Sequence, residues 1–175
     1  TGAPANGGET IIIGEIQPTV VIFSVPSSIN YVINSNATSE SERFIAPEFS
    51  ITNGSNCPLL VEINSIVAAS DSSHIFMDVL PDFFSDSQWK SLNSKDSELY
   101  LALGIKPIND GSWRAIYFTD TIYAKYIENT ADNIQIGAID PHTTVKLTLE
   151  AKHGNSFKQS LSSKNIAVFV FSLLG

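Results

Sequence analysis

Three histidines, one cysteine and a run of aspartates are the residues of this chain whose types could carry chemistry, and their spacing decides which chemistry is open to them. His74, His142 and His153 stand too far apart for any local metal-ligand spacing, and the single Cys57 completes no zinc motif. Structural or solvent-facing histidines are expected. Asp71, Asp78, Asp82 and Asp86 gather in one stretch, and hard carboxylate oxygens so placed could hold calcium. The glycine-bearing loop of an EF-hand is missing, so a solvated acidic loop is the expectation. A serine nucleophile wants a Gly-x-Ser-x-Gly elbow, which the sequence lacks, and nothing in the spacing favours Glu48, Glu62 or Glu98 as half of a glycosidase pair. Gly-rich phosphate loops are also missing. The expectation is therefore a protein that is not an enzyme and needs no cofactor.

Trp113, Tyr117, Tyr123 and Tyr126 fall on adjacent expected strands and could form a face on which sugars stack, although cross-strand packing explains them as well. Carbohydrate thus stays open as a partner class. Asn36-Ala-Thr and Asn53-Gly-Ser have the form of glycosylation sequons, which marks them as exposed turns. Cys57, beside Pro58, reads as a small half-buried residue with no assigned role, and a lone cysteine rules out an intrachain disulfide.

The elements that must position these residues are strands. Thr19 to Val25 is apolar throughout and closes at Pro26-Ser27-Ser28, which predicts a core strand. Ile29, Tyr31 and Ile33 alternate with polar neighbours before a polar stretch, Asn34 to Glu42, expected to be a mobile loop. Phe49 to Thr52 and Leu59 to Val67 flank Asn53-Gly54, a hairpin signal that predicts an antiparallel pair. Phe84, Trp89 and Leu92 suit a short amphipathic helix within residues 82 to 92. Strand-like runs resume at Leu99 to Ile105, Trp113 to Phe118, Thr121 to Ile127 and Ile134 to Ile139. Val145, Leu147 and Leu149 set against Lys146, Thr148 and Glu150 give the clearest half-buried pattern, and Ile166 to Leu174, apolar on both faces, predicts a buried last strand. Many strands at close spacing without a βαβ rhythm define an all-β chain: a single antiparallel β-sandwich, immunoglobulin-like or a jelly roll, with an N-terminal extension strand.

That extension is the most informative stretch. Residues 9–16, Glu-Thr-Ile-Ile-Ile-Gly-Glu-Ile, follow a leader rich in Gly, Ala, Pro and Asn, and are too short to cross a bilayer but rich in β-branched side chains. Residues 1–16 therefore read as a flexible leader and candidate donor strand, and residues 17–175 as the sandwich domain. Thr10, Ile11, Ile12, Ile13 and Ile16 are the self-assembly residues. The net charge of −8 and ten scattered basic residues exclude a phosphate-backbone partner, so no nucleic acid is expected. No membrane insertion is expected either. Charged residues make up only 16% of the chain, and loops crowded with Ser, Thr and Asn suit a secreted or cell-surface protein, read here as a mature product with any signal removed.

Three segments carry a family resemblance: Val25-Pro-Ser-Ser-Ile-Asn-Tyr, then Ile51-Thr-Asn-Gly-Ser-Asn-Cys-Pro-Leu-Leu-Val-Glu-Ile, and Thr144-Val-Lys-Leu-Thr-Leu-Glu-Ala-Lys-His-Gly. They resemble secreted β-sandwich surface proteins of Gram-positive, spore-forming bacteria, a group that includes WxL-type wall-associated domains and TasA-like or other donor-strand fibre subunits. Trp89-Lys-Ser and Trp113-Arg-Ala depart from the Trp-x-Leu signature. What the resemblance implies is a structural extracellular subunit whose partners are other copies of itself. The alternative is a monomeric extracellular binding module or adhesin, with the N-terminal strand folded back on its own sheet.

Overall fold

Alternation of apolar and polar side chains over residues 143–153 is the pattern of a strand with one face buried, and in the computed structural model, which describes residues 20–174, that strand lies at the centre of a six-stranded sheet. Among the described residues twelve strands form in chain order. They are β1 (Phe23–Ser24), β2 (Ile29–Ile33), β3 (Phe44–Ile45), β4 (Phe49–Asn53), β5 (Leu59–Ala68) and β6 (Met77–Asp78), then β7 (Tyr100–Pro107), β8 (Ala115–Ile116), β9 (Ile122–Tyr123), β10 (Ile134–Ile139), β11 (Thr143–His153) and β12 (Leu161–Leu173). Four short helices join them: α1 (Glu40–Arg43), α2 (Asp86–Ser91), α3 (Ser94–Leu99) and α4 (Ala124–Glu128).

The first sheet runs β1-β4-β11-β7-β6, with β9 also on β7, and the second runs β3-β2-β12-β5-β10-β8. Every pairing is antiparallel except the two-residue β6–β7 contact. The two sheets pack face to face as an all-β sandwich. Ile51, Leu103, Ile105 and Leu147 from the first and Ile33, Val61 and Ile63 from the second meet in one apolar cluster and are all but sealed from solvent. Each contributes about 1.5–3 kcal/mol of burial, which is the main force holding the layers together.

Several local expectations change in three dimensions. Of the stretch Thr19 to Val25, the described residues 20–25 do not supply a core strand: only Phe23–Ser24 pairs, along the edge of β4, and Val20, Val21, Ile22 and Phe23 are all more than two-fifths exposed. Pro26 ends the pairing because it has no N–H to donate. The Asn53-Gly54 signal does not make a hairpin; β4 and β5 lie in different sheets and the turn carries the chain between them. Asn53 itself is fully buried, so the sequon there is no exposed turn. Its Nδ2 donates to the carbonyls of Cys57 (2.9 Å), Ile139 (3.2 Å) and Asp140 (3.1 Å), while its Oδ1 accepts from the Ser55 N–H at 2.8 Å. That network fixes the crossover by side-chain bonds in place of a tight turn.

The polar stretch Asn34 to Glu42, expected to be mobile, is organised by the buried Arg43, whose Nη2 donates to the Ala37 carbonyl at 3.0 Å while its own carbonyl accepts from the Asn34 N–H at 2.7 Å. The helix expected within residues 82–92 is present as α2, opened by a capping box in which Ser85 and Gln88 exchange side-chain to backbone bonds. The short α3 follows it. Thr121 to Ile127 is not one strand: it stops after Tyr123 and becomes α4, whose Ala124 and Ile127, three apart, turn inward together. The last strand is not buried on both faces, since Ile166, Val168 and Leu173 of β12 are exposed. Thr10, Ile11, Ile12, Ile13 and Ile16, with the rest of the extension strand, lie outside the described residues.

Candidate functional site

The residues singled out for chemistry are dispersed by the fold. Asp71 reaches Lys164, its carboxylate 2.8 Å from Nζ, and Asp86 at the start of α2 pairs with Lys152, and in both the hydrogen bond from the lysine holds the carboxyl below its ordinary range. Asp78 stands on β6 at the opposite extreme: burial, with the charge of Glu128 adding to it, pushes its carboxyl up to about 6. Among the described residues no group of three or more His, Cys, Asp or Glu side chains converges to hold a metal ion. Asp82 is exposed and shares a shallow pocket with Asp86, so the four aspartates of the run fall into three separate environments.

The three histidines occupy different local settings. His74 sets its ring edge-on to Phe76, with centroids 4.4 Å apart, and its Nε2 lies 2.6 Å from the Glu98 carbonyl. His153 has Nδ1 2.7 Å from the Gly154 carbonyl, and burial pushes its imidazole below the ordinary range, so at neutral pH it is uncharged with Nδ1–H donating. His142 holds the turn between β10 and β11 at a positive φ of 56°. Cys57 is half-buried with a free thiol.

The four aromatic residues do not form a stacking face. Trp113 is buried in the core with its indole N–H directed at the Lys146 carbonyl at 3.4 Å, Tyr123 is half-buried on β9, and Tyr117 and Tyr126 are exposed on β10's flank and on α4. No two of their rings are paired among the described residues.

What the fold does build is an open groove of about 840 Å³ against Leu149–His153 of β11, bordered by α1, α2 and Tyr123. Trp89 of α2 is buried beneath it, its indole N–H donating to the Pro81 carbonyl at 3.0 Å, so it supports the wall without offering a ring face. Most of the charges here are matched, while Lys90 on the rim has no ion-pair partner among the described residues. Lys152 holds Asp86, Lys106 lies 3.6 Å from Glu150, which also accepts from the Thr121 hydroxyl, and Glu40 accepts from the Asn155 amide at 3.3 Å. Such a groove can hydrogen-bond a polar ligand along its rim. Nothing in the spacing of the sequence pointed to it, because its residues come from four segments far apart in the chain.

Exposed apolar surface is the second feature. It includes Val20 to Phe23 at the edge of the first sheet and Val67, Ile166 and Val168 on the outer face of the second. Comparison with protein-family models, curated proteins and solved structures finds no match to this chain.

Proposed function

We propose that the chain is a structural subunit of an extracellular filament or surface layer, in which residues 10–16 add as a strand to the sheet of a neighbouring copy. The observation that carries this reading is the exposure of Val20, Val21, Ile22 and Phe23, four consecutive apolar residues at a sheet edge, separated from that segment by three residues. Exposed apolar edges are templates for association, and soluble monomers blunt them with charge or proline. Prolines stand on either side of the exposed run, Pro18 before it and Pro26 after it, and neither a proline nor a charge lies within it. Donation of Ile11, Ile12, Ile13 and Ile16 would bury side chains at about 1.5–3 kcal/mol each, enough to outweigh the ordering of one short segment. Head-to-tail donation does not close on itself and so propagates.

Replacing Ile11, Ile12 and Ile13 together by Asp should abolish filaments seen by electron microscopy and leave a folded monomer in sedimentation. Filaments of unchanged length from that variant would overturn the reading. The groove beside β11 favours a second reading, a monomeric extracellular binding module for a polar ligand such as an oligosaccharide. Saturable oligosaccharide binding that is lost on Tyr123→Ala, in a wild-type chain that stays monomeric at high concentration, would put that reading first.

A further inference from the structure

The strand-donation reading leaves open where a donated strand goes, and β12 answers it. Residues Leu161 to Asn165 of β12 pair with β2 at one edge, and from Lys164 onward the Ala69 end of β5 lies at the other. Beyond Ile29, which faces Asn165, the chain leaves the second sheet for β1 of the first. Residues 166–173 are therefore paired to β5 alone, and among the described residues no strand lies along their other edge.

The backbone direction at that edge follows from two hydrogen bonds. The Leu174 N–H donates to the Pro58 carbonyl at 3.1 Å and the Lys164 carbonyl accepts from Ala69 at 2.8 Å, so even-numbered residues of β12 turn their backbone groups toward β5. The register shift between Val168 and Phe169 is taken up by an extra residue, Asn64, on β5, so the alternation along β12 continues unbroken. Ala167, Phe169, Phe171 and Leu173 thus present N–H and C=O to the unpaired side.

The side chains make this edge a specific match. Ala167, Phe169 and Phe171 face inward against the main core, whereas Ile166, Val168 and Val170 form the outer face, so the edge is apolar on both sides. An ordinary half-buried strand would set a polar face against that outer row. Three consecutive isoleucines, Ile11, Ile12 and Ile13, place apolar side chains on both faces at once. The open length, residues 166–173, equals that of the run 9–16.

We infer that the unpaired edge of β12, residues 166–173, is the acceptor for residues 10–16 of a second copy of this chain. The inference rests on the strand-donation reading and deepens it. Two experiments on the full chain test it. In assembled wild-type protein, amide exchange at Ala167, Phe169, Phe171 and Leu173 should be slowed about 100-fold or more relative to the I11D/I12D/I13D variant, while the even-numbered amides stay equally protected in both. Ala167→Pro removes one donor on the open side and leaves the ladder to β5 intact, so it should keep the monomer's fold and lose filaments. If Ala167→Pro does not fold, the exchange measurement on wild type decides. Filaments that need Ile11 to Ile13 but leave the four amides in rapid exchange would overturn the acceptor assignment while the fibre reading stands. A wild-type chain that forms no filament would overturn both.

Discussion

The rings of Phe23 and Phe171 stack with centroids 4.0 Å apart and planes 20° from parallel, and so tie the edge strand of one sheet to the last strand of the other. Both residues are partly exposed, so the stack is a clasp across the open side of the sandwich and not part of its sealed centre. Substituting either by Ala should lower stability, and the double variant should lose less than the sum. A coupling of about 0.5–1.5 kcal/mol in a urea denaturation cycle is expected for a pair in this geometry.

Asn53 is the pin of the sheet-to-sheet crossover. Asn53→Ala strips three carbonyls, that of Ile139 in a buried bond, of their donor and the Ser55 N–H of its acceptor, and should cost about 2–3 kcal/mol or more, read as a lower urea midpoint. The same burial predicts that Asn53 in the folded protein is closed to any oligosaccharyl acceptor chemistry, whereas exposed Asn36 is open to it; mapping of glycopeptides from a glycosylating host checks this.

Asp78 makes one pH dependence run opposite to the usual one. Its folded carboxyl titrates at about 6 against an ordinary 3.8, so between those values the native state binds the extra proton. Stability contributed by the protonated form is full below about pH 4 and is lost as pH rises through about 6, a change of up to about 3 kcal/mol. Asp78→Asn should remove that slope and raise the denaturation midpoint at pH 7. Midpoints measured from pH 4 to 7 on both proteins settle the sign. Asp71 and Asp86, held low by lysines, act the other way and favour folding above their ordinary range.

Gly137 lies where β8 crosses β10. A Cβ there would stand 2.4 Å from the Ala115 carbonyl oxygen and 2.9 Å from the Trp113 ring, and the first is backbone that cannot swing aside. Gly137→Ala should destabilise by about 1–3 kcal/mol through overpacking, seen as a lower melting temperature with an unchanged far-ultraviolet spectrum.

The β-sandwich was legible because burial of one face writes itself into the sequence with a period of two: Val145, Leu147 and Leu149, and Leu59, Val61 and Ile63, all point inward as their spacing predicts. Partnership was less legible. Asn53-Gly54 carries the local chemistry of a tight turn, yet the buried Asn53 amide finds its partners in the β10–β11 connection, and no local rule anticipates a bond to a residue so distant in sequence. Val20 to Phe23 has core composition without core position, because β1 takes an edge. The groove was invisible for the same reason that β12's open side was: each depends on which strands lie adjacent, a property of topology and not of composition.

The pairing of β2 with β12 and of β4 with β11 joins early segments to late ones, so loop-closure entropy is at its largest for the strands that complete the sheets. Folding of this kind is slow, and cannot finish until β12 has left the ribosome. An edge borne on that strand is consequently absent from any nascent chain that has not yet released β12. Timing, then, is built into the order of the strands: the second sheet closes last, when β12 finds β2 and β5 already waiting on its two sides.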